Sequence, residues 1–251
     1  MNTENQMPAS PTAAAPAESV GIFSIIVGVF TSPTQAFENF KQRPSVWMPL
    51  VVLLLLSTIT AIGMTKYNAI EQYEAMKTST ALPPQALEGM RDGIDNPNYV
   101  MAAIATPVVI MIVSMIAALL AKLFGGFIFG GQAKYWHVFG VAVLAGLISS
   151  LGNLIKLPLV MSKGSVHVSF GLAAVMPVKS FTSFLYGLLY FLDGFAIWGI
   201  IVAGIGYGII FGIKKSQGLT TSIITSLVMI LLMVGLQFLG FAVAGVDVSF
   251  M

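Results

Sequence analysis

The sequence predicts an all-α polytopic integral membrane protein, a bundle of five transmembrane helices with short amphipathic interfacial helices. Three observations carry that reading. Of the 251 residues, 57% are hydrophobic and only 9% are charged, whereas a soluble domain carries about 25% charged residues. So few charges cannot cover the surface of a water-soluble globule of this size. The apolar residues also gather in five long runs, and about 20 such residues at 1.5 Å each cross a hydrocarbon layer of roughly 30 Å. Finally, the runs are unbroken, where a membrane β-barrel would show alternating strands of about 10 residues.

Residues 1–19 (MNTENQMPASPTAAAPAES) are Pro, Ala and polar residues with no basic n-region. They read as a disordered cytoplasmic tail rather than a signal peptide. Residues 20–46 form an interfacial segment. Its first part, VGIFSIIVGVF, is too short to span and is expected in the interface or against the bundle. In TSPTQAFENFKQRPSVW, Ser32 suits a helix cap, Pro33 the first helical position, and Gln35 a capping box. Phe37 and Phe40 then share one face. Residues 33–42 are therefore predicted as an amphipathic helix on the cytoplasmic surface, with Lys41 and Arg43 toward anionic headgroups.

The first span is predicted at 47–64. Residues 66–98 are the most charged part of the chain, with Glu71, Glu74, Glu88, Asp92 and Asp95 against Lys66, Lys77 and Arg91. Residues 66–77 can continue the first helix into water. Pro83 and Pro84 interrupt it, and Pro84 can open a short helix through Arg91. The acidic spacing is not that of an EF-hand, so a solvated face is expected. The second span, 99–123, contains Pro107, which bends a membrane helix without breaking it. The loop GGFIFGGQAKYW lacks the phosphate-binding spacing and reads as a flexible turn. In the third span, 136–160, Ala142, Gly146 and Ser150 form a ridge of small residues. A loop is expected over 161–180. For 181–192 the sequence leaves two readings open: a separate half-helix, or one continuous with the fourth span at about 190–212. The fifth span covers 220–245, before a short tail, VDVSFM. No internal repeat is visible, which argues against an inverted-repeat transporter.

The stretch from Asp193 to Gly212, DGFAIWGIIVAGIGYGIIFG, is the most telling. A carboxylate at the edge of a span must face protein, water or a cation. Gly204, Gly208 and Gly212 recur every fourth residue and predict a packing ridge for another helix. Lys156, late in the third span, lies at a depth comparable with Asp193. Either the two pair within the membrane, with Asn153 and Tyr190 as neighbours, or Lys156 snorkels to headgroups while Asp193 reaches water separately.

The chain has no cysteine, which removes disulfides, thiolate metal sites and a Cys nucleophile. Its histidines, His137 and His167, have no metal-binding spacing. His137 sits beside Tyr135 and Trp136 in an aromatic belt, and His167 has no recognisable partner. No catalytic residue, metal site or cofactor is predicted. A formal charge of +2 gives no reason to expect nucleic acid. Five spans place Lys41, Arg43, Lys122, Lys134, Lys214 and Lys215 on one side. Lys66, Lys77, Arg91, Lys163 and Lys179 fall on the other, with the acidic cluster and Asp247. The first group hugs the membrane, so the positive-inside rule predicts a cytoplasmic N-terminus and an outer C-terminus.

Two stretches carry a family resemblance. TSPTQAFENFKQRPSVWMPL, with Ser32 and Pro33 at its turn, resembles the start of the Yip-one domain family (Ypt/Rab-interacting membrane proteins). DGFAIWGIIVAGIGYGII resembles that family's fourth span through Asp193, Phe195, Ile197, Trp198 and Gly204 or Gly206. The five-span plan and glycine-rich second loop agree, so the resemblance covers residues 32–245. The long acidic first outer loop is more similar to bacterial members, which implies a multi-pass protein of a bacterial inner membrane. The resemblance further implies a protein without known catalysis, a membrane-organising or partner-binding scaffold. It implies small-GTPase binding only for a eukaryotic chain. Expected partners are the lipid bilayer and a membrane protein or a second copy. The alternative is a transporter or channel for an ion or small solute, using the Lys156/Asp193 region.

Overall fold

A computed structural model describes residues 21–177 and 180–250. The tail expected over 1–19, and Lys179, lie outside the described residues. All the regular structure there is helical: α1 (Ile22–Thr31), α2 (Pro33–Gln42), α3 (Trp47–Met76), α4 (Pro84–Asp95), α5 (Tyr99–Leu123), α6 (Tyr135–Lys163), α7 (Phe184–Phe191), α8 (Gly194–Phe211) and α9 (Lys215–Val243). Of these, α3, α5, α6, α8 and α9 are long and apolar enough to cross a membrane. The protein is an all-α polytopic membrane protein. The spans alternate in direction, so α1, α2 and the α5–α6 and α8–α9 turns share one end, called the near end. The α4 and α7 helices and the C-terminal tail share the far end.

At the centre stands α6. Of its most apolar stretch 61% is buried, against 6% for α5. Lipid supplies no hydrophobic drive for helix association, so small residues that admit close packing decide contacts. The Ala142–Gly146–Ser150 ridge faces α3. A Cβ on Gly146 would lie 3.5 Å from the Leu53 methyls, and Ser150 Oγ hydrogen-bonds Ser57 Oγ at 3.0 Å.

Helix α2 leaves Thr34, Gln35, Glu38 and Lys41 exposed and drives Phe37 and Phe40, both fully buried, into the bundle. Gly140 leaves the hole that the Phe40 ring fills, and Phe37 packs where a Cβ on Gly206 would sit, 2.8 Å from its Cζ. Lys41 does not point to headgroups: its ammonium donates to Ile209 O at 2.9 Å, in the last turn of α8, where cations are favoured. The capping box is also absent. Ser32 makes no side-chain cap. Its carbonyl accepts from Ala36 N, and Gln35 donates to Asn39 Oδ1 instead.

The glycine-rich α5–α6 connection is ordered rather than loose. Phe124–Ile128 form a π-helical turn, Gly131 N donates to Gly125 O at 3.0 Å, and Gly125 and Gly131 together receive the Phe211 ring. At the far end, the lead-in to α8 is a separate helix. Helix α7 ends at Phe191 and the fourth span starts at Gly194, not 190, because Asp193 caps a new helix there. The tail folds back, with Ser249 N donating to Thr182 O and Phe184 N to Ser249 O.

Candidate functional site

The candidate site lies where α6, α8 and the loop after α6 meet at the far end. Gly152 is one helical turn before Lys156, and a Cβ there would fall 2.5 Å from Phe195 Cγ. Its absence lets Phe195 seat against α6 and draws the start of α8 toward Lys156. Asp193 is the N-cap of α8, and its Oδ1 accepts from Ala196 N–H at 2.9 Å. Its other oxygen, Oδ2, forms an ion pair with Lys156 Nζ. Both residues are buried, Lys156 at 3% and Asp193 at 4% exposure.

This arrangement stabilises the carboxylate three ways: a cap hydrogen bond, the positive end of α8, and the ammonium. Lys156 is further held between rings, 5.5 Å from the centroid of Tyr190 and 6.0 Å from that of Phe170, a cation–π geometry. Phe170 packs edge-on to Phe195. The loop closes over the pair as a roof. Gly171 bridges to the backbone of Asp193, where any side chain would meet Leu192 O at 2.7 Å. Tyr190 Oη donates to Val166 O at 3.1 Å.

The structure thus brings Lys156, Asp193 and Tyr190 together. Asn153 lines, with the pair and Tyr190, the wall of a cavity of about 550 Å³. Ile197 and Trp198 point outward, 51% and 38% exposed. The glycine ridge is only partly as expected. Gly204 meets α9 closely, its Cβ position 2.8 Å from Leu219 Cα, and Gly208 stands 3.7 Å from Lys215 Cα. Gly212 is no part of a packing face. With φ of 68° it is the left-handed residue that ends α8. The missing partner of the ridge is Gly218, whose Cβ would fall 2.5 Å from Gly208 N and Gly204 O.

A second polar group was not foreseen. His167 Nε2 pairs with Glu71 Oε2 at 2.7 Å, and its Nδ1 shares a hydrogen bond with Tyr186 Oη at 2.8 Å. His167 therefore has partners after all. Burial pushes the Tyr186 hydroxyl well above the ordinary tyrosine range, with Tyr190 and Glu71 adding to it. The chain of three resembles a catalytic relay in outline, but Tyr186 is wholly enclosed and nothing can reach it. It ties α3 to the loop and α7. Among the described residues, no cluster of three or more His, Cys, Asp or Glu could hold a metal ion.

The Yip1 domain family model matches residues 27–236, a stretch that holds both α2 and the ion pair. The chain belongs to the Yip1 domain family. A curated relative, "Membrane protein YknW" of Bacillus subtilis (strain 168), is 25% identical over 201 residues, covering 79% of this chain and 84% of the relative. No solved structure matches the chain. For the Yip1 domain, the geometry assigns physical jobs to the motif residues. Pro33 opens α2, Asp193 caps α8 and holds Lys156, and Phe195 fills the space left by Gly152.

Proposed function

We propose that this Yip1 domain protein is a non-enzymatic scaffold that holds another membrane protein, or a second copy of itself, against its bundle. The observation that carries the reading is the state of α5. Its only buried residues are Ser114, Ala118 and Ala121, all in the half toward the near end. The other half, through Val100, Ile104 and Val108, is exposed. A span so lightly packed by its own chain is suited to complete its contacts with a neighbouring helix. The family match carries no catalytic activity, and the Tyr186 end of the Glu71–His167–Tyr186 chain is enclosed. Transport has no relative behind it, and the membrane-embedded charges neutralise each other in place.

The membrane is that of a bacterium, the inner one, with the near end in the cytoplasm. The basic residues Lys41, Arg43, Lys122, Lys134, Lys214 and Lys215 at the near end support that orientation, and the curated relative is bacterial.

The absence of native cysteine makes the test direct. Single substitutions Ile104→Cys and Val108→Cys on α5, and Leu236→Cys on α9, are oxidised in native membranes. A scaffold gives a discrete cross-linked species from α5 positions and not from α9. Purely monomeric protein at every position, at native expression level, overturns the proposal.

A further inference from the structure

We propose that the cleft behind α5 is a binding site for one zwitterionic phospholipid bearing a primary ammonium, drawn from the far-end leaflet. The inference stands on different observations from the scaffold reading and goes beyond it. Two cavities, of about 550 Å³ and 290 Å³, lie between α5 and a floor made by α6 and α8. They share Val113 and Ala117 on α5, Gly146 and Ser149 on α6, and Ala196 on α8. One arm runs toward α3 and the other toward α9. A common trunk with two arms is the shape of a lipid with two chains.

The depth agrees. Helix α8 has 18 residues, or about 27 Å, so its start at Asp193 lies near the edge of a roughly 30 Å hydrocarbon layer. From Lys156 to Ala142, along the α6 wall, is about 21 Å, enough for chains that fill one leaflet of about 15 Å.

Charge decides the headgroup. The far end of the larger cavity is lined by both members of the ion pair. An ammonium has three donors and a carboxylate about four acceptor positions, so each keeps capacity after pairing. A phosphate on Lys156 and an ammonium on Asp193 would extend the pair to a neutral four-charge ring. An anionic lipid such as phosphatidylglycerol brings no cation to Asp193, and a quaternary ammonium has no N–H to give.

Water fits less well. Water needs two to four polar partners each, and much of the wall is apolar, with Leu53, Ile110, Val113 and Met229. Ser57 bonds Ser150, Thr60 donates to Leu56 O, and Ser222 to Ile200 O, while Thr225 Oγ1 is buried without a partner among the described residues.

The test uses the full chain reconstituted in vesicles of phosphatidylethanolamine, phosphatidylglycerol and phosphatidylcholine in equal parts, then extracted gently for native mass spectrometry. One phosphatidylethanolamine should stay bound per protein, favoured about 10-fold over the other two, a difference near one factor of ten in affinity. Ala117→Phe fills the shared trunk without touching the ion pair, and should lose the lipid while the protein stays folded and monodisperse. Lys156→Met with Asp193→Asn should abolish the headgroup preference. Retention of all three lipids alike, a preference unchanged in both variants, a bound polypeptide in place of lipid, or no retained lipid would each overturn the proposal. None of these outcomes depends on cross-linking through the outer face of α5.

Discussion

Replacing Asp193 by Asn and Lys156 by Met, singly and together, separates what the ion pair does from what the helix cap does. Asn at 193 can still accept from Ala196 N–H, because Asn is as good an N-cap as Asp. What is lost is the charge opposite an ammonium that is only 3% exposed. Stranding one partner of a buried pair costs about 3–5 kcal/mol. Lys156→Met strands the carboxylate instead, but Asp193 keeps the Ala196 N–H and the positive end of α8, worth up to about 2 kcal/mol in a partly buried site. Asp193→Asn should therefore be the worse of the two. The double variant leaves a capping amide beside a thioether of similar length to lysine's stem, with no charge to bury, and should return to within about 1 kcal/mol of the native protein. The assay is the unfolding free energy in mixed micelles for all four proteins, giving a coupling energy of at least about 3 kcal/mol in favour of the pair. A double variant as unstable as the sum of the singles would refute the reasoning, as would an Asp193→Asn protein of native stability. Exchanging the two charges is a poor substitute. Lysine at 193 cannot accept from Ala196 N–H and adds a cation at a positive helix end, so the swap should fail even though the pair exists.

Other outcomes follow from the same geometry. Gly218→Val places its Cβ on the backbone of α8 and should cost about 3 kcal/mol, whereas Gly208→Ala, with 3.7 Å to its nearest neighbour, should be neutral in the same unfolding assay. Gly212→Ala forces an L side chain into the left-handed region at φ 68° and should cost about 1 kcal/mol. Gly140→Ala and Phe40→Leu should each destabilise, and together less than their sum, with a coupling of about 0.5–3 kcal/mol. Arg43→Cys and Lys77→Cys should be modified by an impermeant maleimide from opposite faces of sealed vesicles. Modification from one face alone would contradict five crossings.

The spans were legible because they rest on length and apolarity, which are local. Proline and charge marked where α4 begins and where α3 leaves the apolar layer. What stayed hidden depended on partners. The phenyl rings of Phe37 and Phe40 give the same amphipathic pattern whether they face lipid or protein, and only Gly140 and Gly206, on two other helices, decide between them. Likewise, the spacing of Gly204, Gly208 and Gly212 is compatible with a ridge, but spacing does not report φ, and Gly212 lies past the end of the helix. The depth argument placed Lys156 and Asp193 together while leaving their pairing open. The deciding residue, Gly152, is silent until Phe195 is seen against it. His167 and Glu71 had no signal at all, being brought together by the fold of the loop over α3.

A common device runs through the contacts that hold the bundle together. Phe40 sits over Gly140, Phe37 over Gly206, Phe195 over Gly152, and Phe211 over Gly125 and Gly131. In water, burying a phenyl ring would be favourable almost anywhere in the core. In lipid the ring gains little by leaving acyl chains for leucines, since both are equally apolar. It gains only where the protein surface is concave enough to surround it, because dispersion depends on the number of atoms at contact distance. A glycine on a helix is such a hollow, and pairing each ring with its own hollow specifies which helix faces which without a hydrophobic drive. The Lys156–Asp193 pair can then be placed inside the membrane because Phe195 and Gly152 have already fixed α8 against α6. The carboxylate meets its ammonium through packing that does not depend on either charge, and that is why removing both charges should leave the fold intact.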